Sequence, residues 1–263
     1  MSSYWAILGA RFRTLLQYRA AAFAGFGTQL WWGLMRVMIF EAFYRSTTAP
    51  QPMTIEQVIT YIWLSQAMLA MLPWNIDSDI RAMVRSGTVA YELLRPVDLY
   101  WLWFSRAVAL RSAPTVLRAT PMFVLAGLFW GMQLPASWPA AGAWILAMGA
   151  ALLLAAAVST LLGITILWTI SGEGIARLLT ICVMVFAGTL VPLPLFPDWA
   201  QGFLNFLPFR GLVDIPFRLY TGHIPASHVL PMLAHQLGWT LALIVMGKAL
   251  LARGARRLVV QGG

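Results

Sequence analysis

The stretch AGAWILAMGAALLLAAAVSTLLGITILW, residues 141–168, contains no charged side chain and no proline. An α-helix rises about 1.5 Å per residue and bilayer hydrocarbon is about 30 Å thick, so about 20 apolar residues suffice to cross it. This run exceeds that length. It predicts a membrane-spanning helix with enough excess to tilt or to project beyond the bilayer.

Further apolar runs flank it at about 20–42, 57–74, 111–131, 175–195 and 231–251. Apolar residues make up 60% of the 263-residue chain and charged residues 10%, against roughly 45–50% and 25% in soluble domains. The mean hydropathy of +0.75 agrees. The expected fold is therefore all-α: a polytopic membrane protein of about six transmembrane helices. It forms one membrane domain over residues 1–263, with no room for a separate soluble catalytic domain. The third run is the least regular, with Pro114, Arg118 and Pro121 inside it.

The net charge of +9 does not point to nucleic acid, because the basic residues are spread along the chain. In a membrane protein they mark cytoplasmic ends. Arg11, Arg13 and Arg19 precede the first run, and Arg81, Arg85, Arg95 and Arg106 lie between the second and third. Arg177 follows the fourth, and Lys248, Arg253, Arg256 and Arg257 close the chain. The opposite loops hold Arg45, Arg210 and Arg218. This asymmetry puts both termini in the cytoplasm and requires an even number of spans. The first 20 residues lack the continuous apolar core of a secretory signal. Trp5, Leu8, Phe12 and Leu15 recur at helical spacing opposite Arg13, Thr14 and Gln17, so residues 1–19 read as an amphipathic interfacial helix. The single cysteine, Cys182, allows no internal disulfide.

Two segments between the runs are unusual. Residues 75–106 form the longest cytoplasmic segment. Asp77 and Arg81 stand four apart with the acid first, the favourable order on a helix. Asp79 suits the start of that helix, Arg85 its end and Gly87 its termination, and Pro96 stops the next short piece. The second segment, residues 188–230, spans the end of the fifth run and residues 196–230, which follow it on the outer side. Pro192, Pro194, Pro197 and Pro208 punctuate its start, and Trp199, Phe203 and Phe206 share one helical face. Arg210, Asp214 and Arg218 step by four as a potential charge ladder. Short interfacial or re-entrant helices are expected here, serving either as an aromatic anchor or as an outer gate.

These segments resemble those of ABC-2 type transporter permeases. Residues 80–98, with Arg85-Ser86-Gly87 and Leu93-Leu94-Arg95-Pro96, resemble the family's cytoplasmic segment. Residues 188–209, with Gly188, Pro192, Pro197, Trp199, Pro208 and Phe209, resemble its outer signature. The resemblance covers nearly the whole chain and is closest to six-span subunits with separate ATPases. It implies an exporter permease in a bacterial cytoplasmic membrane, working as a homodimer or with a related permease, surrounded by lipid. It further implies that Asp77, Arg81, Arg85, Gly87, Glu92, Arg95 and Pro96 belong to a coupling segment that docks on the ATPase. Pro192, Pro194, Pro197, Trp199, Phe203, Phe206, Pro208 and Phe209 would form the outer gate, and the first and fifth spans would line the path. The substrate would be a hydrophobic or amphipathic small molecule.

No glycine-rich phosphate loop ending in Lys is present, so ATP and magnesium are expected in the partner and no cofactor in this chain. Arg36 lies inside the first apolar run, where a charge is costly and so a candidate for the translocation path. Glu41 and Arg45 are spaced to pair. Arg118 is expected to snorkel to the cytoplasmic headgroups. Glu173 should start a helix, where a carboxylate suits the dipole. His223, His228 and His235 do not have the spacing of a helical metal motif. The competing readings are a non-energised channel or scaffold, and a membrane-embedded metal-dependent enzyme using these histidines.

Overall fold

The computed structural model describes residues 3–17, 19–94, 96–169 and 172–255. Arg95 of the expected coupling set, and Arg256 and Arg257 at the basic C-terminus, lie outside them. All regular structure among the described residues is helical. The α-helices are α1 (Ser3–Leu16), α2 (Arg19–Ser46), α3 (Ile55–Ala67), α4 (Ser78–Arg85), α5 (Val89–Leu93) and α6 (Leu99–Phe129). They continue as α7 (Trp138–Thr165), α8 (Glu173–Phe186), α9 (Asp198–Phe206), α10 (Asp214–Tyr220) and α11 (Val229–Ala255).

Three helices among the described residues are long and apolar enough to cross a membrane: α6, α7 and α11 with the turn before it. Their boundaries follow from local chemistry. Asp98 caps α6 by accepting from the Trp101 amide at 3.1 Å, and Ser137 caps α7 by accepting from that of Ala140 at 3.2 Å. The cap at Asp98 starts α6 earlier than the apolar run at 111–131 predicted. Residues 99–106, expected in the cytoplasmic segment, are instead its first turns. Pro114 and Pro121 lie inside α6. Each removes one backbone donor, and the helix continues through both.

The expected second and fifth spans take a different form. α3 begins on a capping box: Thr54 Oγ1 accepts from the Gln57 amide at 3.3 Å, and Gln57 Oε1 accepts from the Thr54 amide at 3.1 Å. It has 13 residues and continues as a 3₁₀ turn at Leu69–Met71. Pro73 forces Leu72 out of helical geometry, with ψ 145°. α8 has 14 residues and ends before Gly188 at φ +85°. Each of these two helices is only about 20 Å long.

The core is built around α7. Its small side chains, among them Ala143, Ala147, Ala151 and Ala155, are buried and let α6, α10 and α11 approach closely. Gln236 of α11 is buried and donates to the carbonyls of Ala147 at 3.0 Å and Gly211 at 2.7 Å. Tyr61, Trp63, Trp103 and Phe217 fill the centre. Trp63 Nε1 donates to the Trp130 carbonyl at 3.0 Å, so this indole is buried without an orphaned donor. Helix α1 lies within the expected segment 1–19 and packs along α6. Tyr4 of α1 accepts from the Asp98 amide at 3.0 Å, while Trp5 stays exposed.

Candidate functional site

The segment of residues 75–106 is tied to the helices by charge. Asp77 caps α4 by accepting from the Asp79 amide at 2.9 Å. That role turns Asp77 away from Arg81, and the expected pair at i,i+4 gives way to longer-range pairs. Asp79 meets Arg11 of α1 at 2.8 Å and Arg106 of α6 at 3.0 Å. Asp77 lies 3.6 Å from Arg11 and 3.5 Å from Arg106. Arg81 and Arg85 reach Glu173 on the first turn of α8, at 3.7 and 3.6 Å. Gly87 has φ +75° and closes α4, a conformation that glycine adopts without Cβ strain. Glu92 is buried and accepts from Trp103 Nε1 at 3.1 Å. Pro96 is exposed.

Beneath this segment sits Arg111 of α6, 3% exposed. It donates to Ser159 Oγ at 3.0 Å, to the Leu72 carbonyl at 2.7 Å, and to Asn75 Oδ1 and carbonyl at 3.0 and 2.7 Å. The guanidinium fork thus fixes the chain entering α4 against α6 and α7.

Arg36 lies on the wall of a cleft of about 550 Å³ between α2, α3, α6 and the end of α8. Trp32, Leu69, Trp74 and Met184 supply apolar walls. Arg36 donates to Ser65 Oγ at 3.2 Å and to the Leu190 carbonyl at 3.0 Å. The Gln66 amide, oriented to satisfy both neighbours, accepts from Arg36 Nη1 at 3.1 Å and donates to the Gln29 carbonyl at 3.1 Å. Arg36 therefore bridges the first, second and fifth expected spans. Arg118 also lines this cleft. A Cβ at Gly25 of α2 would lie 2.8 Å from its Cζ, so the guanidinium is seated on α2.

Residues 196–230 form short, broken helices. Trp199, Phe203 and Phe206 share the exposed face of α9, with Trp199 86% exposed, while Ala200 and Leu204 pack on Leu193. Pro192 is buried, Pro194 and Pro208 are half-buried, and Pro197 is exposed. Phe209 packs near Phe186, with ring centroids 6.2 Å apart. The charge ladder forms in part. Asp214, fully buried, pairs with Arg218 at 3.1 Å, whereas Arg210 donates to the Asn205 carbonyl at 3.2 Å. Glu41 and Arg45 pair as spaced, at 3.6 Å. The histidines have separate partners. His223 contacts Arg218 and the Pro52 carbonyl, His228 contacts Ser227, and His235 contacts the Phe206 carbonyl.

A family described as ABC-2 family transporter protein matches residues 30–262. The chain belongs to this family. No curated protein and no solved structure matches it. It is accordingly an integral multi-pass membrane protein and a permease subunit of an ABC transporter, a class that works with an ABC ATPase.

Within this permease, sequence spacing missed Arg111, Gln236 and the Gln29–Gln66 pair. Their signal was present: an ionisable or amide side chain inside an apolar helix must find a partner. What spacing alone does not give is which distant backbone carbonyl that partner is.

Proposed function

We propose that the permease drives export of a hydrophobic or amphipathic small molecule, powered by ATP hydrolysis in a separate ATPase. It crosses the bilayer six times with both termini in the cytoplasm. α2 makes the first crossing, while α3 and α8, each with its irregular continuation, make the second and fifth. Two permeases, identical or related, face each other across the path, and the segment from Asp77 to Pro96 receives the ATPase. The exposed aromatic face of α9 belongs to the outer gate.

The observation that carries this reading is the junction of Arg81 and Arg85 with Glu173. A push on α4 is delivered to the first turn of α8, and the chain leaving α8 holds Arg36 through the Leu190 carbonyl. A partner that favours one position of α4 thereby favours one arrangement of the path.

The test is purification in mild detergent followed by reconstitution. The chain should retain a soluble ATPase, and substitution of Arg81 and Arg85 by Glu should leave hydrolysis running without transport. Solute flux that persists in vesicles lacking any ATPase would establish a channel instead.

A further inference from the structure

We infer that the cleft beside Arg36 binds the anionic head of an amphiphilic transported molecule. The inference rests on the permease reading and adds the charge of the substrate.

The argument starts from unpaired polarity. Among the described residues no carboxylate lies within ion-pair distance of Arg36, and its hydrogen-bond partners are all neutral. Arg36 Nε is buried without an acceptor. Both polar atoms of the Gln29 side chain and the Thr189 hydroxyl are likewise buried and unpartnered, and all three residues line the same cleft. An apolar span does not ordinarily carry an uncompensated guanidinium together with idle donors. An anion between Gln29, Arg36 and Thr189 supplies the missing acceptor and the missing countercharge.

The shape agrees. Among the described residues no acidic side chain lines the cleft, and its walls are otherwise largely apolar. A volume of about 550 Å³ suits a single-chain or aromatic amphiphile. Gly25, Gln29, Trp32 and Arg36 recur at helical spacing along one stripe of α2. Arg118 against Gly25 and Arg36 stand about 16 Å apart along that stripe. An anionic head thus meets a cation at two depths of one groove.

The experiment uses the full chain in phosphatidylcholine nanodiscs. It is titrated with a bromine-labelled alkyl sulfate, because bromine quenches tryptophan and Trp32 and Trp74 line the cleft. The brominated alcohol and alkylammonium of equal chain length serve as comparators. The sulfate should quench saturably, and Arg36→Gln should weaken it by about tenfold or more. Arg36→Lys should recover part of the loss, and Trp32→Phe should remove much of the saturable signal. If Arg36→Gln fails to give a monodisperse protein, Gln29→Leu replaces it and should weaken the sulfate but not the alcohol. Equal affinity for the three heads, or undiminished sulfate binding in the variants, overturns the inference. Loss of saturable binding when phosphatidylglycerol is added identifies a bilayer lipid as occupant and overturns the assignment to a transported solute. Retention of the ATPase by a chain without sulfate preference sinks this inference alone. Sulfate preference in a chain that retains no ATPase sinks the ATP-driven export reading and leaves the anion site in place.

Discussion

Glu173 on the first turn of α8 and Arg85 at the end of α4 are joined by an ion pair of 3.6 Å. Both side chains are about half exposed, so the pair contributes at most about 1 kcal/mol to stability. Its weight lies in connecting two elements that otherwise touch little. Glu173→Arg should therefore leave the thermal midpoint nearly unchanged while separating ATP hydrolysis from transport. Adding Arg81→Glu and Arg85→Glu restores opposite charges and should recover part of the coupling. Full transport in Glu173→Arg alone would show that α8 is not driven through this contact.

Arg111 makes a contrasting prediction, because its cost falls on folding. Arg111→Leu strands the buried Leu72 carbonyl and Ser159 hydroxyl and breaks the bonds to the exposed Asn75, and should destabilise by about 2–4 kcal/mol. Arg111→Lys keeps the charge but not the planar fork and should recover only a small part. The check is the fraction of monodisperse protein and its thermal midpoint in detergent. A midpoint unchanged in both variants would remove Arg111 as the anchor of α4.

The contrast between these two arginines shows what the sequence made legible. Apolar runs disclosed α6, α7 and α11, because bilayer thickness sets a length that composition must meet. The spacing of Glu41 and Arg45 disclosed their ion pair, and that of Trp199, Phe203 and Phe206 disclosed a shared face of α9. Both are local signals. The ends of α3 and α8 were misjudged, since hydropathy continues past Ala67 and Phe186 where Pro73 and Gly188 interrupt the backbone. Asp77 with Arg81 failed for a related reason. Helical spacing offers a partner, but Arg11 and Arg106 compete for the same carboxylate once α1 and α6 are packed.

His223 gives the segment of residues 196–230 a pH dependence whose sign follows from its partners. The Arg218 guanidinium has only donors, so His223 Nδ1 accepts its Nε–H at 3.1 Å. The ring proton then sits on Nε2 and is given to the Pro52 carbonyl at 2.9 Å. Burial, and then the charge of Arg218, hold His223 below the usual value of about 6.5, with Pro52 and Asp214 opposing. Between the lowered value and about 6.5 the unfolded chain binds more protons than the folded one. This contribution is fully present above about 6.5 and is lost as the pH falls toward the lowered value. Thermal midpoints measured across this window should fall on acidification, and His223→Gln should flatten that part of the curve. An identical slope in the variant would refute the assignment.

The Asp214–Arg218 pair should be the most sensitive charge pair of residues 196–230. Asp214 is 0% exposed and Arg218 meets it at 3.1 Å. Removing one member of a buried pair leaves the other uncompensated, at a cost of about 3–5 kcal/mol. Arg218→Leu should be the worse single change, since it strands the carboxylate and also frees His223. Asp214→Asn with Arg218→Gln should be milder than Arg218→Leu alone, because no buried charge remains. A double variant less stable than the single one would contradict a charge-pair role.

Gly188 and Tyr61 define the break at the end of α8. Gly188 holds φ +85°, and the Tyr61 hydroxyl occupies the space where a Cβ would stand. Gly188→Ala therefore carries two separable costs. The backbone conformation costs about 1–3 kcal/mol for a residue other than glycine, and the contact with Tyr61 adds a clash. Tyr61→Phe removes the oxygen and should relieve only the second. The expected order of thermal midpoints is wild type, then the double variant, then Gly188→Ala alone. Because Leu190, two residues on, holds Arg36, transport in Gly188→Ala should fall further than its stability loss explains. A double variant no better than Gly188→Ala alone would mean that the backbone conformation sets the whole cost and that Tyr61 yields freely.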